Sequence, residues 1–151
     1  MSQQRRHYED TDVPESKSQQ DTQTLLRQHG VTMVRWTTTA NLIRLEFSWP
    51  YRDHELGFRL DLHVPAKDAA GNLLEPDRRE QEARRLYRVL LYHVKAKLIA
   101  VEEGLVPLEQ EFLPYLIGEG DRTMGDVVRE QLAAGALANA RPLLESGLSG
   151  A

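Results

Sequence analysis

Residues 77–104 read DRREQEARRLYRVLLYHVKAKLIAVEEG, and the architecture follows from whether they wind into one helix. At about 100° per residue, Ala83, Leu86, Tyr87, Leu90, Leu91, Val94, Leu98 and Val101 fall on one continuous apolar face, which has to be buried. Pro76 just before, Asp77 as the cap and Glu80 three residues later in the capping-box relation predict the start. Gly104 predicts the stop, because glycine accepts the positive φ that closes a helix C-terminus. The opposite side of the same winding gathers Arg84, Arg88 and Lys95 in a narrow stripe, with Arg85 and Tyr92 beside it. These five residues are the candidate site for a protein partner or a nucleic acid.

Arg84 and Arg88 stand four apart, so their like charges cost roughly a few tenths of a kcal/mol unless an anion lies across them. Glu80 is placed to reach Arg84, whereas Arg88 and Lys95 have no acidic partner within the helix. Lys97 falls at an angle inside the apolar face. Either it snorkels to the edge or it meets a carboxylate of the next segment, and snorkelling is the expected outcome.

Ahead of this helix the periodicity changes to two. Residues 31–38 are rich in strand formers and run into a turn at Ala40-Asn41. In 42–49, Ile43, Leu45, Phe47 and Trp49 alternate with Arg44, Glu46 and Ser48. In 56–64, Leu56, Phe58, Leu60, Leu62 and Val64 alternate with Gly57, Arg59, Asp61 and His63, and 50–55 is read as the connecting loop. Setting Trp49 opposite Leu56 matches Phe47 with Phe58, Leu45 with Leu60 and Ile43 with Leu62. The same register places Glu46 against Arg59 and Arg44 against Asp61, which predicts a solvated outer face with a small ladder of ion pairs. Exposed aromatics interleaved with cations would have marked a stacking platform for nucleic acid, but here the aromatics point inward.

Around this centre, residues 16–28 predict a short helix capped by Ser18 with Asp21 three on, contributing Leu25 and Leu26 and ending at His29-Gly30. Residues 65–76 read as a loop turning at Ala70-Gly71-Asn72. After Gly104, Pro107 opens a second helix with Glu109 and Glu111 in its first turn. Phe112, Leu113, Leu116 and Ile117 are expected to pack on the long helix, with Pro114 shortening or kinking their own. A turn at 118–121 precedes a capping box of Thr123 and Asp126 that opens a helix to about Ala134. The fold class is therefore α+β: a three-stranded antiparallel meander packed on one long central helix, with short flanking helices. The expected division is a disordered N-terminal arm over 1–15, a single domain over 16–144 and a flexible tail over 145–151.

With 151 residues the chain suits one core, and with no cysteine it uses neither disulfide nor thiolate chemistry. Its apolar runs fall short of a membrane span and its N-terminal stretch lacks a signal-peptide core, so a cytoplasmic protein with no membrane partner is expected. The net charge of −4 hides a split. Residues 1–100 hold 16 Lys/Arg against 14 Asp/Glu, and residues 101–151 hold 3 against 9, so the central helix is basic and the last third acidic.

One resemblance rests on short runs in a fixed order: Val13-Pro14-Glu15-Ser16-Lys17-Ser18, Leu25-Leu26-Arg27-Gln28-His29-Gly30, Lys95-Ala96-Lys97-Leu98, Ala100-Val101-Glu102, Glu109-Gln110-Glu111-Phe112-Leu113 and Arg122-Thr123. In these, from about Thr11 to Leu144, the chain resembles small uncharacterised proteins of tailed bacteriophages and prophages. It departs from them at 118–121, where Gly-Glu-Gly-Asp stands in place of a Pro-Asp-Gly turn. The resemblance implies a phage setting and a host cytoplasm, and carries no activity and no site.

An enzyme would need a constellation of reactive groups. Histidines at 7, 29, 54, 63 and 93 are scattered, with no metal-ligand spacing and no phosphate loop after a strand. Glu102, Glu103, Glu109 and Glu111 could be read as a Mg²⁺ cluster, but helix-end carboxylates on a solvated surface explain them better. The expectation is no enzyme, no metal and no cofactor. What remains is a phage accessory protein that binds a host or phage protein, weighed against a nucleic-acid-binding protein using the basic helix face with help from Arg78, Arg79 and Arg5-Arg6. Homodimerisation through Val89, Ala96 and Ala100 is a further expectation.

Overall fold

The computed structural model describes residues 14–135. The elements run α1 (Glu15–Gln28), β1 (Met33–Thr38), β2 (Leu42–Tyr51), β3 (His54–His63), α2 (Pro76–Glu102), α3 (Leu108–Glu111), two 3₁₀ turns (Leu113–Tyr115 and Glu119–Asp121) and α4 (Met124–Ala133). The strands form one antiparallel sheet in the order β1-β2-β3, so the α+β meander on a long helix is the observed architecture. Residues 1–13 of the predicted arm, the predicted tail and the last part of the predicted domain, 136–144, lie outside the described residues, while Pro14 caps α1 and Glu15 belongs to it. No described helix is long and apolar enough to cross a membrane.

The long helix forms because its apolar positions recur at helical spacing over 27 residues, about 40 Å at 1.5 Å per residue. Leu86, Tyr87, Leu90, Leu91, Val94 and Leu98 are buried, and Ala83 and Val101 are partly so. At its end Gly104 has φ 76°. Its amide donates to Val101 O (3.1 Å) and the Leu105 amide to Ala100 O (3.0 Å), the paired bonds of a Schellman closure. The helix start differs from expectation. Glu75 occupies the cap position with no side-chain hydrogen bond and Pro76 is the first helical residue, so the Asp77–Glu80 box is not made. Proline fixes φ where the amide would have lacked a partner, and this displaces the cap by two positions. Likewise Ser18 does not cap α1. Pro14 precedes that helix, and Ser18 is buried on the face it shares with Thr22 and Leu26.

Strand register is as the alternation predicts: Trp49 faces Leu56, Phe47 Phe58, Leu45 Leu60 and Ile43 Leu62. The predicted loop at 50–55 is instead a continuation of both strands, closing on Arg52-Asp53 with Arg52 at φ 53°. Ile43, Leu45, Phe47, Phe58 and Leu60 are at most 2% exposed and form the core with α2. Tyr87 ties three elements together. Its ring lies 5.7 Å from that of Trp36, and its hydroxyl sits 2.5 Å from Thr38 Oγ1 and accepts from Gln19 Nε2 at 3.1 Å.

The chain beyond α2 is a strap, and here two expectations are corrected. Phe112 is buried edge-on to Phe47 and Phe58. Leu113, however, is 46% exposed, and Leu116 and Ile117 run beside β3, Leu116 bridging to Phe58 and the Ile117 amide donating to Gly57 O (2.8 Å). The outer sheet face is correspondingly less solvated than predicted. Glu46 is buried between Arg35 (2.9 Å) and Arg59 (3.0 Å), and Arg59 also donates to the carbonyl and carboxylate of Asp121 on the strap, each at 2.8 Å. Arg44 grips Asp61 through two bonds of 2.8 and 2.9 Å. The hydrogen bond to Asp121 is the main cause raising the Arg59 pKa, and the same bond lowers that of Asp121. The Thr123–Asp126 capping box forms as expected, with Asp126 N donating to Thr123 Oγ1 at 3.2 Å.

Candidate functional site

The five predicted site residues lie on one face of α2 but divide into two groups. Arg84 donates to Gln81 Oε1 (2.7 Å), not to Glu80, and Arg85 to Glu82 Oε2 (2.9 Å), where both members of the second pair are largely buried. Both guanidiniums thus bond within their own helix. Arg88 and Lys95 instead converge on Tyr92: the Arg88 guanidinium carbon stands 5.2 Å from the ring centre, and Lys95 Nζ 5.9 Å. Arg88 also reaches the Tyr92 hydroxyl at 3.4 Å, and Tyr92 itself is 40% exposed. Of the cations expected to help, Arg79 is committed to Ala40 O at 2.8 Å, and Arg5-Arg6 lie outside the described residues.

The helix wheel of α2 could not reveal what faces the cluster. Helix α1 packs alongside α2, and between them lies a groove of about 320 Å³. Leu25 and Leu91 line it, with Asp21, Thr24 and Gln28 on the α1 side and Arg88, Tyr92 and Lys95 on the α2 side. Asp21 is engaged by Lys17 at 3.4 Å, one turn back on α1. Sequence reading assigned α1 only Leu25 and Leu26 as apolar contacts, because nothing in one helix states which partner its polar side will meet. A second concavity of about 380 Å³, also unanticipated, lies at the start of α2 among Ile43, Val64, Leu74 and Ala83, with Glu15 and Glu80 on its rim.

Lys97 is a correction. It does not snorkel: its Nζ donates to Glu111 O (3.1 Å) and Oε1 (3.2 Å) and lies over the rings of Phe112 and Tyr115 at 5.6 and 5.4 Å. A carboxylate, a carbonyl and two ring faces together compensate the cation at the core margin. His93 stands edge-on to Tyr115, with Nε2 3.1 Å from its hydroxyl. Partial burial, then the neighbouring Lys97, lower the His93 pKa, and Glu111 opposes them. Glu111, one of the four glutamates of the acidic cluster, is thus taken by Lys97. Among the described residues no three His, Asp or Glu gather to hold a metal ion.

No protein-family model, curated protein or solved structure matches the chain.

Proposed function

We propose that the chain is a non-enzymatic binding protein that engages another protein through the α1–α2 face around Arg88, Tyr92 and Lys95. The observation that carries this reading is the convergence of two cations on one exposed tyrosine at the edge of a groove. Tyrosine and arginine beside a groove are the residue types that concentrate binding energy at protein interfaces. The nucleic-acid alternative loses support from the same geometry. A phosphate track needs several cations in succession, whereas along the predicted stripe Arg85 is paired with Glu82 and Arg84 is hydrogen-bonded to Gln81. The accompanying setting, a phage accessory protein in the host cytoplasm, rests on the sequence resemblance alone.

The test uses the purified chain and its Arg88→Ala/Lys95→Ala variant. Fluorescence anisotropy with labelled single-stranded and duplex oligonucleotides at low and moderate salt is expected to give no binding. A bacterial extract passed over each immobilised protein is expected to leave a protein on the wild type that the variant releases. Tight, salt-sensitive oligonucleotide binding that the variant loses would overturn the proposal in favour of nucleic acid.

A further inference from the structure

Resting on that reading, we infer that the partner presents an acidic amphipathic helix, with carboxylates seven residues apart and apolar side chains between them, laid along the α1–α2 groove. The sign follows from charge complementarity. Among the described residues neither Arg88 nor Lys95 forms an ion pair, while Asp21, the carboxylate across the groove, is already held by Lys17. A docking segment therefore meets two positive charges on one wall and, on the other, a carboxylate already paired with Lys17.

The spacing follows from helix geometry. Arg88 and Lys95 are seven residues apart, two turns, so their backbone roots stand about 10.5 Å apart along the axis of α2. Positions i and i+7 of a second helix share a face and repeat the same distance. Same-face positions of a strand recur at roughly 6.7 or 13 Å and match neither cation pair nor groove. Tyr92 lies four residues after Arg88 and three before Lys95, so a helix bringing carboxylates to both cations brings its i+3 and i+4 side chains over the tyrosine and toward Leu25 and Leu91. Two helices side by side with a shallow furrow between them offer a third helix the usual ridge-into-groove seat.

The experiment is anisotropy with labelled alanine-based helical peptides carrying glutamates at i and i+7 and leucines at i+3 and i+4. Controls are the Glu→Gln peptide, a peptide of the same composition with the second glutamate moved to the opposite face, and the same oligonucleotides as above. The glutamate peptide is expected to bind, and the Gln peptide, the displaced peptide and the Arg88→Ala/Lys95→Ala protein each to weaken binding about fivefold or more, the sum of two exposed charge pairs. Equal affinity for the Glu and Gln peptides, or no binding of any peptide, overturns the inference while leaving a partner found in the extract untouched. Oligonucleotide binding lost in the double variant overturns the underlying reading as well.

Discussion

Tyr87 is the side chain on which most of the internal geometry depends. It is 1% exposed and joins α2 to α1 and β1 through Gln19 and Thr38. Tyr87→Phe keeps the ring and loses both bonds, so urea denaturation is expected to show a loss of about 0.5–1.5 kcal/mol per bond. Gly125 is a sharper case: a Cβ there would come 2.8 Å from the Pro114 carbonyl oxygen, and Gly125→Ala should destabilise by about 1–3 kcal/mol as α4 is pushed off the strap. His93 supplies a pH dependence. Its folded-state pKa is depressed, so the unfolded chain takes up the proton first as pH falls. The contribution is whole above the ordinary value of 6.5 and is lost as pH drops through the folded pKa, and His93→Gln should flatten the thermal-stability profile in that window. None of these three roles was legible in the sequence. Tyr87 depends on partners 49 and 68 positions away, His93 on how deeply the fold buries it, and Gly125 on a carbonyl of a separate turn.

Among the elements, what the sequence disclosed and what it hid separate by the physics involved. The sheet register could be read because an alternation of period two admits no one-residue slip without exposing Ile43, Leu45 and Phe47 together. The end of α2 could be read because φ 76° is a position that only glycine occupies without cost, and Gly104→Ala should lower stability by about 1–2 kcal/mol in thermal melts. Helix starts were less readable. Ser18 and Asp77 are good capping types, but Pro14 and Pro76 set the boundaries first, since any of several polar residues near a proline can look like a cap. In the strap the short helix after Pro107, the turn at 118–121 and the capping box of α4 were readable, but its bridge to β3 was not, because an isolated bridge has no repeating pattern. Its attachment through Arg59 and Asp121 is a contact between residues 62 apart.

Taken whole, the molecule answers the split in its charge by pairing part of it internally. Arg59 of the sheet meets Asp121, and Lys97 of the long helix meets Glu111, so the acidic last third neutralises cations of the basic portion. Arg88 and Lys95 stay outside that pairing among the described residues, and for this reason the binding face is placed on them and on the α1 side chains opposite. The most direct measurement is amide chemical-shift mapping of the ¹⁵N-labelled full chain titrated with the glutamate i, i+7 peptide. Perturbations concentrated at 21–28 and 88–95, absent with the Gln peptide, are the result expected. Shifts gathered instead on the outer sheet face around Arg35, Arg44 and Arg59, or the same shifts with both peptides, would contradict the assignment of this face.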